Sequence, residues 1–249
     1  MTSNLRAETV HFDSYDNHSV EAYLASTESD HEVGGVVVIH HLPGYDEATK
    51  EIVRRFAANG YNAICVNLYC RESPGASSDD AAAAARANGG VSDERLVGDV
   101  GAAAAYLRAL PNSNQKVGVI GYCSGGRQSL LAACRLNLDA AVDCYGAFVV
   151  MNTPDGMNMR ATKIVDLLPN LSCPLLGLFG ADDQYPSPEQ TETLRSLLTE
   201  HAKEFSFHTY DGAGHAFFSV DRPSYRPEAA IEAWGEIWKF YGKYLSSQK

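Results

Sequence analysis

The stretch Lys116-Val-Gly-Val-Ile-Gly-Tyr-Cys-Ser-Gly-Gly126 decides the fold prediction. Its first five residues predict a buried strand, and the residues after Gly126 have the pattern of a helix. Between them lies the sequence Gly-x-Cys-x-Gly, the pattern of a nucleophile elbow with cysteine as the nucleophile, Cys123. Glycines are needed at 121 and 125 because side chains there would collide in so tight a turn.

Strand and helix patterns alternate outward from this motif in both directions. Such alternation predicts a single α/β domain over 1–249, with a mainly parallel sheet covered by helices on both faces. The predicted strands are Glu8–Phe12 and Ser19–Ala25 as a hairpin, then Gly35–Ile39, Tyr61–Leu68, Lys116–Ile120, Asp139–Tyr145, Pro174–Phe179 and Glu204–Tyr210. The predicted helices are Glu47–Asn59, Asp79–Ala87, Asp93–Leu110, Arg127–Arg135, Glu189–Ala202 and Pro227–Leu245. The segment Val150–Ser172 is either a lid or a plain connection.

Composition and charge narrow the range of partners. The chain has 249 residues, 45% of them hydrophobic and 20% charged, with a formal net charge of −11. This acidity argues against nucleic acid and anionic membranes as partners, and no apolar run reaches the roughly 18 residues of a membrane span. The six cysteines form no CxxC pair, and the first residues carry no secretory signal, so we expect a reduced, cytoplasmic protein without a metal or another cofactor.

Two later motifs supply the partners that a cysteine nucleophile requires. An activated thiol needs a general base, and the base needs an acid to orient it, in the chain order nucleophile, acid, histidine. Gly180-Ala-Asp-Asp183 follows a predicted strand, and Gly212-Ala-Gly-His215 follows the last one. We predict that His215 is the base and Asp183 the acid, with the adjacent Asp182 as the alternative.

An ester-cleaving site also needs donors for the oxyanion. The backbone N–H of Ser124 is one candidate, and that of Leu42, in the loop after the strand Gly35–Ile39, is the other. Tyr145 ends the strand that follows the elbow helix, so it is predicted to line the substrate pocket. Phe217 and Phe218 are predicted either to form an apolar pocket wall or to pack in the core.

Four segments together resemble the dienelactone hydrolases, or carboxymethylenebutenolidases, a family of α/β-hydrolases. They are GYCSGG at 121–126, NLYCRESPG at 67–75, GADDQYP at 180–186 and GAGHAFF at 212–218. The resemblance implies an α/β-hydrolase fold and a Cys-His-Asp triad formed by Cys123, His215 and Asp183. It also implies that Arg86 binds a substrate carboxylate. The alternative is that Arg86 is a solvated residue on an alanine-rich helix.

The chain departs from the family pattern at two positions. Where the family carries a glutamate near the resting thiol, this chain has His41, which we predict to be an active-site residue, with a structural loop role as the alternative. Where a second carboxylate-binding arginine is expected, the chain has Ser219, and Arg222 follows three residues later. Both departures bear on the substrate and leave the triad complete.

The predicted function is hydrolysis of a small-molecule ester or lactone through a thioester intermediate. Two alternatives use the same fold: a carboxylesterase, thioesterase or peptidase acting on other acyl substrates, and a binding or sensing module with a redox-reactive Cys123. A sensor needs no base oriented by an acid, which favours the enzyme.

Overall fold

Eight strands form one sheet in the order β1-β2-β4-β3-β5-β6-β7-β8, in a computed structural model that describes residues 5–29, 31–157 and 161–246. The hairpin β1–β2 lies antiparallel at one edge, and β3 to β8 are parallel to one another. The α/β-hydrolase fold prediction is therefore confirmed. The strands are β1 Leu5–Asp13, β2 Ser19–Thr27, β3 Val33–Ile39, β4 Asn62–Val66, β5 Ser113–Tyr122, β6 Ala140–Cys144, β7 Leu175–Gly180 and β8 Phe205–Tyr210.

Helices cover both faces of the sheet because its central strands are apolar on both sides. Val36 and Val38 pack in one buried cluster with the last helix, whereas Val37 and Ile39 pack in the other. This alternation is the pattern of a strand buried on two faces. The helices are α1 Glu47–Ala58, α2 Ser78–Ala87, α3 Asp93–Arg108, α4 Ser124–Arg135, α5 Pro188–Glu200 and α6 Pro227–Tyr244.

Local sequence signals set where several helices begin. The Asp46 side chain caps α1 by accepting from the N–H of Thr49, at 2.8 Å. Ser187 and Gln190 form a reciprocal capping box at the start of α5. These caps satisfy N–H groups that the helix itself leaves unpaired.

The segment between β6 and β7 is more than a plain connection. It contains a 3₁₀ helix, Val165–Asn170, that the sequence did not indicate, and Leu168 of this helix is fully buried in the core. Met157 and Ala161 lie beside the cavity described below. Residues 158–160 of this segment, and both ends of the predicted domain 1–249, lie outside the described residues.

The parallel strands bring their carboxyl ends to one edge of the sheet. The loops after β3, β5, β7 and β8 carry, in turn, Leu42, Cys123, Asp183 and His215. Open α/β sheets bind their ligands at this edge, where successive loops diverge. The fold therefore places all four predicted groups on the same side of the molecule.

Candidate active site

Cys123 occupies a strained turn between β5 and α4. Its backbone lies at φ 57° and ψ −119°, and α4 begins at the next residue, three positions before the predicted start at Arg127. A Cβ on Gly121 would meet the carbonyl oxygen of Gly125 at 1.8 Å, and one on Gly125 would meet that of Ile39 at 2.4 Å. Both glycines are thus required by the close approach of backbone to backbone.

The three predicted triad residues lie together at one site. His215 Nδ1 lies 2.9 Å from Oδ2 of Asp183, and the Cys123 side chain is close enough to the His215 ring to raise its pKa. Only 1% of the Asp183 side chain is exposed, and its other oxygen accepts from the N–H of Tyr185 at 2.9 Å. Of the two adjacent carboxylates, the one in contact with His215 is therefore Asp183; Asp182 lines the cavity nearby.

The environment of His215 favours the protonated ring. Burial opposes the charge and by itself lowers the pKa of this imidazole. The hydrogen bond with Asp183 and the proximity of Cys123, together with the charges of both groups, outweigh burial and raise the pKa of His215 to about 10. The site is thus arranged to hold an imidazolium between a carboxylate and the sulfur of Cys123.

A cavity of about 920 Å³ opens over these residues. Cys123, Asp183 and His215 line it together with Leu42 and Ser124, the two predicted oxyanion donors. Ser124 is the first residue of α4, where free N–H groups and the positive end of the helix dipole favour a negative charge.

The loop that carries Leu42 is fixed by a buried histidine that the sequence analysis did not single out. His40 is 1% exposed; its Nδ1 lies 2.8 Å from the carbonyl oxygen of His41, and its Nε2 accepts from the N–H of Leu68 at 3.3 Å. Burial is the main reason why the pKa of His40 falls to about 4. The ring is therefore neutral near neutral pH, with the proton on Nδ1.

Two arginines line the cavity and differ in their pairing. Arg86 is exposed at the end of α2, and no acidic side chain pairs with it among the described residues. Arg127 is buried, binds Asp93 through two contacts of 2.9 Å, and donates to the carbonyl oxygen of Thr162. Arg86 is thus the cation that remains available to an anionic ligand.

Two residues predicted to bind the substrate, Tyr145 and His41, are outside the described cavity lining, and their contact with a substrate stays a prediction. Tyr145 is 1% exposed and is not part of the described cavity lining; its ring packs edge-on behind His215, with centroids 5.2 Å apart. Its backbone has φ 45°, which turns the chain away from the extended path that the prediction assumed. His41 is also outside the described lining, because its Nε2 pairs with Asp46 Oδ2 at 3.2 Å beside the start of α1.

The residues that follow His215 in the loop after β8 pack mainly in the core. Phe217 and Phe218 are buried and stack on each other, so they belong to the core. Ser219 and Arg222 are both absent from the described cavity lining. No arginine of this loop lines the described cavity, so the second carboxylate-binding arginine that the family resemblance implies at position 219 is not replaced there.

The described residues offer neither a membrane anchor nor a cluster of metal ligands. Within 5–29, 31–157 and 161–246, no helix is long and apolar enough to cross a bilayer. Over the same ranges, no three His, Cys, Asp or Glu side chains converge as metal ligands do.

Comparison with known proteins agrees with this geometry. A family model described as the dienelactone hydrolase family matches residues 20–245. The chain belongs to the dienelactone hydrolase family. It is 30% identical over 235 residues to the carboxymethylenebutenolidase of Pseudomonas putida, an alignment that covers 91% of this chain and 92% of that protein.

Other members of the family are similarly close. The alignment with an Escherichia coli K12 protein assigned as a carboxymethylenebutenolidase has 31% identity and covers 87% of this chain and 79% of the relative. A crystal structure from Klebsiella pneumoniae assigned as a dienelactone hydrolase superposes with a TM-score of 0.82 at 25% identity, covering 97% of this chain and all of that one. We conclude that the chain is a dienelactone hydrolase-like hydrolase.

The sequence analysis did not predict several residues that line the cavity. Tyr69 lies in the quoted NLYCRESPG segment, and Arg127 directly follows the glycines of the elbow, so motif proximity could have indicated both. Tyr185 also lines the cavity and lies in the quoted GADDQYP segment, so the same signal could have indicated it. Phe148 lines the cavity as well and carries no such signal.

Proposed function

We propose that this chain hydrolyses carboxylic esters and lactones through a Cys123–His215–Asp183 triad and a thioester intermediate. The observation that carries the proposal is the His215–Asp183 hydrogen bond beside Cys123, with all three residues lining one cavity. Asp183 orients His215, and His215 takes the proton of the Cys123 thiol.

In the first half-reaction, the Cys123 sulfur attacks the ester carbonyl while its proton resides on His215. The carbonyl oxygen becomes an oxyanion that accepts hydrogen bonds from the backbone N–H groups of Leu42 and Ser124. The tetrahedral species collapses when the carbon–oxygen bond of the alcohol breaks, and His215 protonates the leaving oxygen. Asp183 keeps the ring in the tautomer that this transfer requires.

In the second half-reaction, water cleaves the thioester. His215, now neutral, takes a proton from water, and the resulting hydroxide attacks the acyl carbon. The same two N–H groups hold the oxyanion, and the sulfur leaves as a thiolate next to the reformed imidazolium. A carboxylic acid departs and the resting pair returns, so the cycle needs no cofactor.

Arg86 is the group that we propose to select the substrate. It lines the cavity, is exposed, and has no acidic partner among the described residues. A guanidinium presents two parallel N–H donors that match the two oxygens of a carboxylate. Since Ser219 stands where the family resemblance implies a second carboxylate-binding arginine, Arg86 alone carries this recognition.

The test compares the native protein with Cys123→Ala on a dienelactone and on p-nitrophenyl acetate. We expect Cys123→Ala to lose at least about a thousandfold in kcat on every substrate that the native protein cleaves. Cys70→Ala is the matched control, because Cys70 is also a free, partly buried thiol but does not line the cavity.

The outcomes separate the alternatives clearly. Ester hydrolysis that persists in Cys123→Ala would refute the triad assignment. Rapid alkylation of Cys123 without turnover of any ester would support the sensing module instead. Turnover of p-nitrophenyl acetate alone, lost in the variant, would place the enzyme among the esterases that do not accept dienelactone.

A further inference from the structure

The two sides of the active-site cavity differ in chemistry, and the strand order explains why. Arg86 belongs to the segment that follows β4, whereas Phe148 and Tyr185 follow β6 and β7. In the sheet, β5 with Cys123 lies between β4–β3 on one side and β6–β7 on the other. The segments that carry the cation and the two aromatic rings therefore leave the sheet on opposite sides of β5.

Phe148 and Tyr185 form a continuous apolar wall. Their ring centroids are 5.5 Å apart with an interplanar angle of 36°. Phe148 is 3% exposed, and the backbone of Tyr185 is fixed by its hydrogen bond to Asp183. Met157 and Ala147 also line the cavity. An aromatic or branched apolar group placed there would exchange water for ring contacts on several sides.

Charge separates the two ends of the cavity further. Asp182, a cavity residue three positions before Tyr185 in the chain, disfavours an anion near it, and Arg86 attracts one. The volume of about 920 Å³ is near the upper end of cavities that hold drug-sized ligands, about 300–1,000 Å³. A small lactone bound at Arg86 would leave the aromatic end unfilled.

We propose that Phe148, Tyr185 and Met157 form a subsite for an aromatic or bulky apolar group, so that the preferred substrates are half-esters. Such a substrate carries a carboxylate at Arg86 on one side of the scissile carbonyl and the apolar group on the other. This inference rests on the proposed ester hydrolysis and adds the class of substituent that the second half of the cavity accepts.

The test uses methyl and benzyl hydrogen succinate, two half-esters whose leaving alcohols have similar acidity. Because their intrinsic reactivities are close, the ratio of kcat/KM for benzyl over methyl reports binding of the ring. We expect a ratio of at least about ten in the native protein, from burial of the phenyl group. In Tyr185→Ala and in Phe148→Leu, this ratio falls toward one.

Two further variants separate the subsite from other effects. Tyr15→Ala removes an equivalent ring that is 53% exposed in the turn between β1 and β2, and it keeps the native ratio. Arg86→Ala lowers kcat/KM for both esters by a similar factor, so it also keeps the ratio. Thermal unfolding of every variant verifies that it is folded.

A native ratio near one, or a native ratio retained in folded Tyr185→Ala and Phe148→Leu, would overturn the subsite. Calorimetric binding of the two half-esters to Cys123→Ala gives the same comparison without turnover. If the native protein cleaves p-nitrophenyl acetate but neither half-ester, the proposed function stands and the preference for half-esters is overturned. If it cleaves no ester at all, the proposed function fails, while tighter binding of the benzyl ester, weakened by Tyr185→Ala, would still support the subsite.

Discussion

A buried carboxylate beneath the elbow makes the stability of this protein depend on pH. Asp143, in β6, has no solvent exposure. Its Oδ1 accepts the N–H of Gly146 at 2.7 Å, and its Oδ2 has no hydrogen-bond partner among the described residues. Burial, only partly opposed by the Gly146 bond, raises the pKa of Asp143 from 3.8 to about 7. Above this pH the folded protein must hold an unpaired charge.

The direction of the effect follows from proton binding. Between the unfolded pKa of 3.8 and the folded pKa of about 7, the native state binds more protons than the unfolded chain. The free energy of unfolding therefore falls as the pH rises through this window. At 1.36 kcal/mol per pKa unit, the difference between the two pKa values corresponds to a loss of about 4 kcal/mol in the free energy of unfolding.

The variant Asp143→Asn isolates this contribution. Asparagine has the same shape, keeps an acceptor for Gly146 and carries no charge at any pH. Any fixed effect of the new amide group is equal at all pH values. We expect the free energy of unfolding of Asp143→Asn, relative to that of the native protein, to rise by about 2–4 kcal/mol when the pH is raised from about 4 to about 8.

Urea unfolding of both proteins at these two pH values measures the change. All other titrating groups are shared, so they cancel in the difference between the two proteins. A difference in free energy of unfolding that is the same at both pH values would refute the reasoning about Asp143.

Three further predictions concern the site. Asp183→Asn is expected to lower kcat by about 10³–10⁴ because it disturbs the His215 tautomer, with a far smaller loss for Asp182→Asn; comparable kcat losses would contradict the choice of acid. His40→Gln, which keeps an acceptor for Leu68, should retain much more kcat than His40→Ala, while iodoacetamide still alkylates Cys123 in both at near-native rates. If alkylation and kcat fall together, His40 supports the whole site rather than the oxyanion loop. Gly125→Ala would place a Cβ 2.4 Å from a backbone oxygen, so ester turnover and melting temperature should both drop; near-native kcat would show that the elbow can relax.

The sequence was most informative where chemistry and backbone geometry need the same residue. The elbow glycines are an example, because they mark both the turn and the nucleophile, and the parallel sheet followed from continuous β-branched runs. The helix start at Ser124 was missed because two glycines precede Arg127 in the first turn, and glycine lowers helix propensity.

Side-chain direction at the ends of strands could not be read from the sequence. Tyr145 turns behind His215 because its backbone adopts a positive φ, which residue type alone does not indicate. The ring of His41 pairs with Asp46, the N-cap of α1, and the sequence did not indicate this contact. The importance of His40 depends on the loop after β4, which lies 28 residues away in the chain.

The contacts of Arg127 have a consequence for engineering. The helix that presents Cys123 at its first turn also holds, four residues later, the guanidinium that binds Asp93 and the Thr162 carbonyl. Thr162 adjoins Ala161, which with Met157 forms what we term the cavity roof, so one helix holds both the nucleophile and this roof. Because Thr162 is held through its backbone oxygen, the side chains of the roof can be exchanged without removing this attachment. A library of roof sequences that keeps Arg127 and Asp93 would therefore alter substrate choice at constant nucleophile geometry.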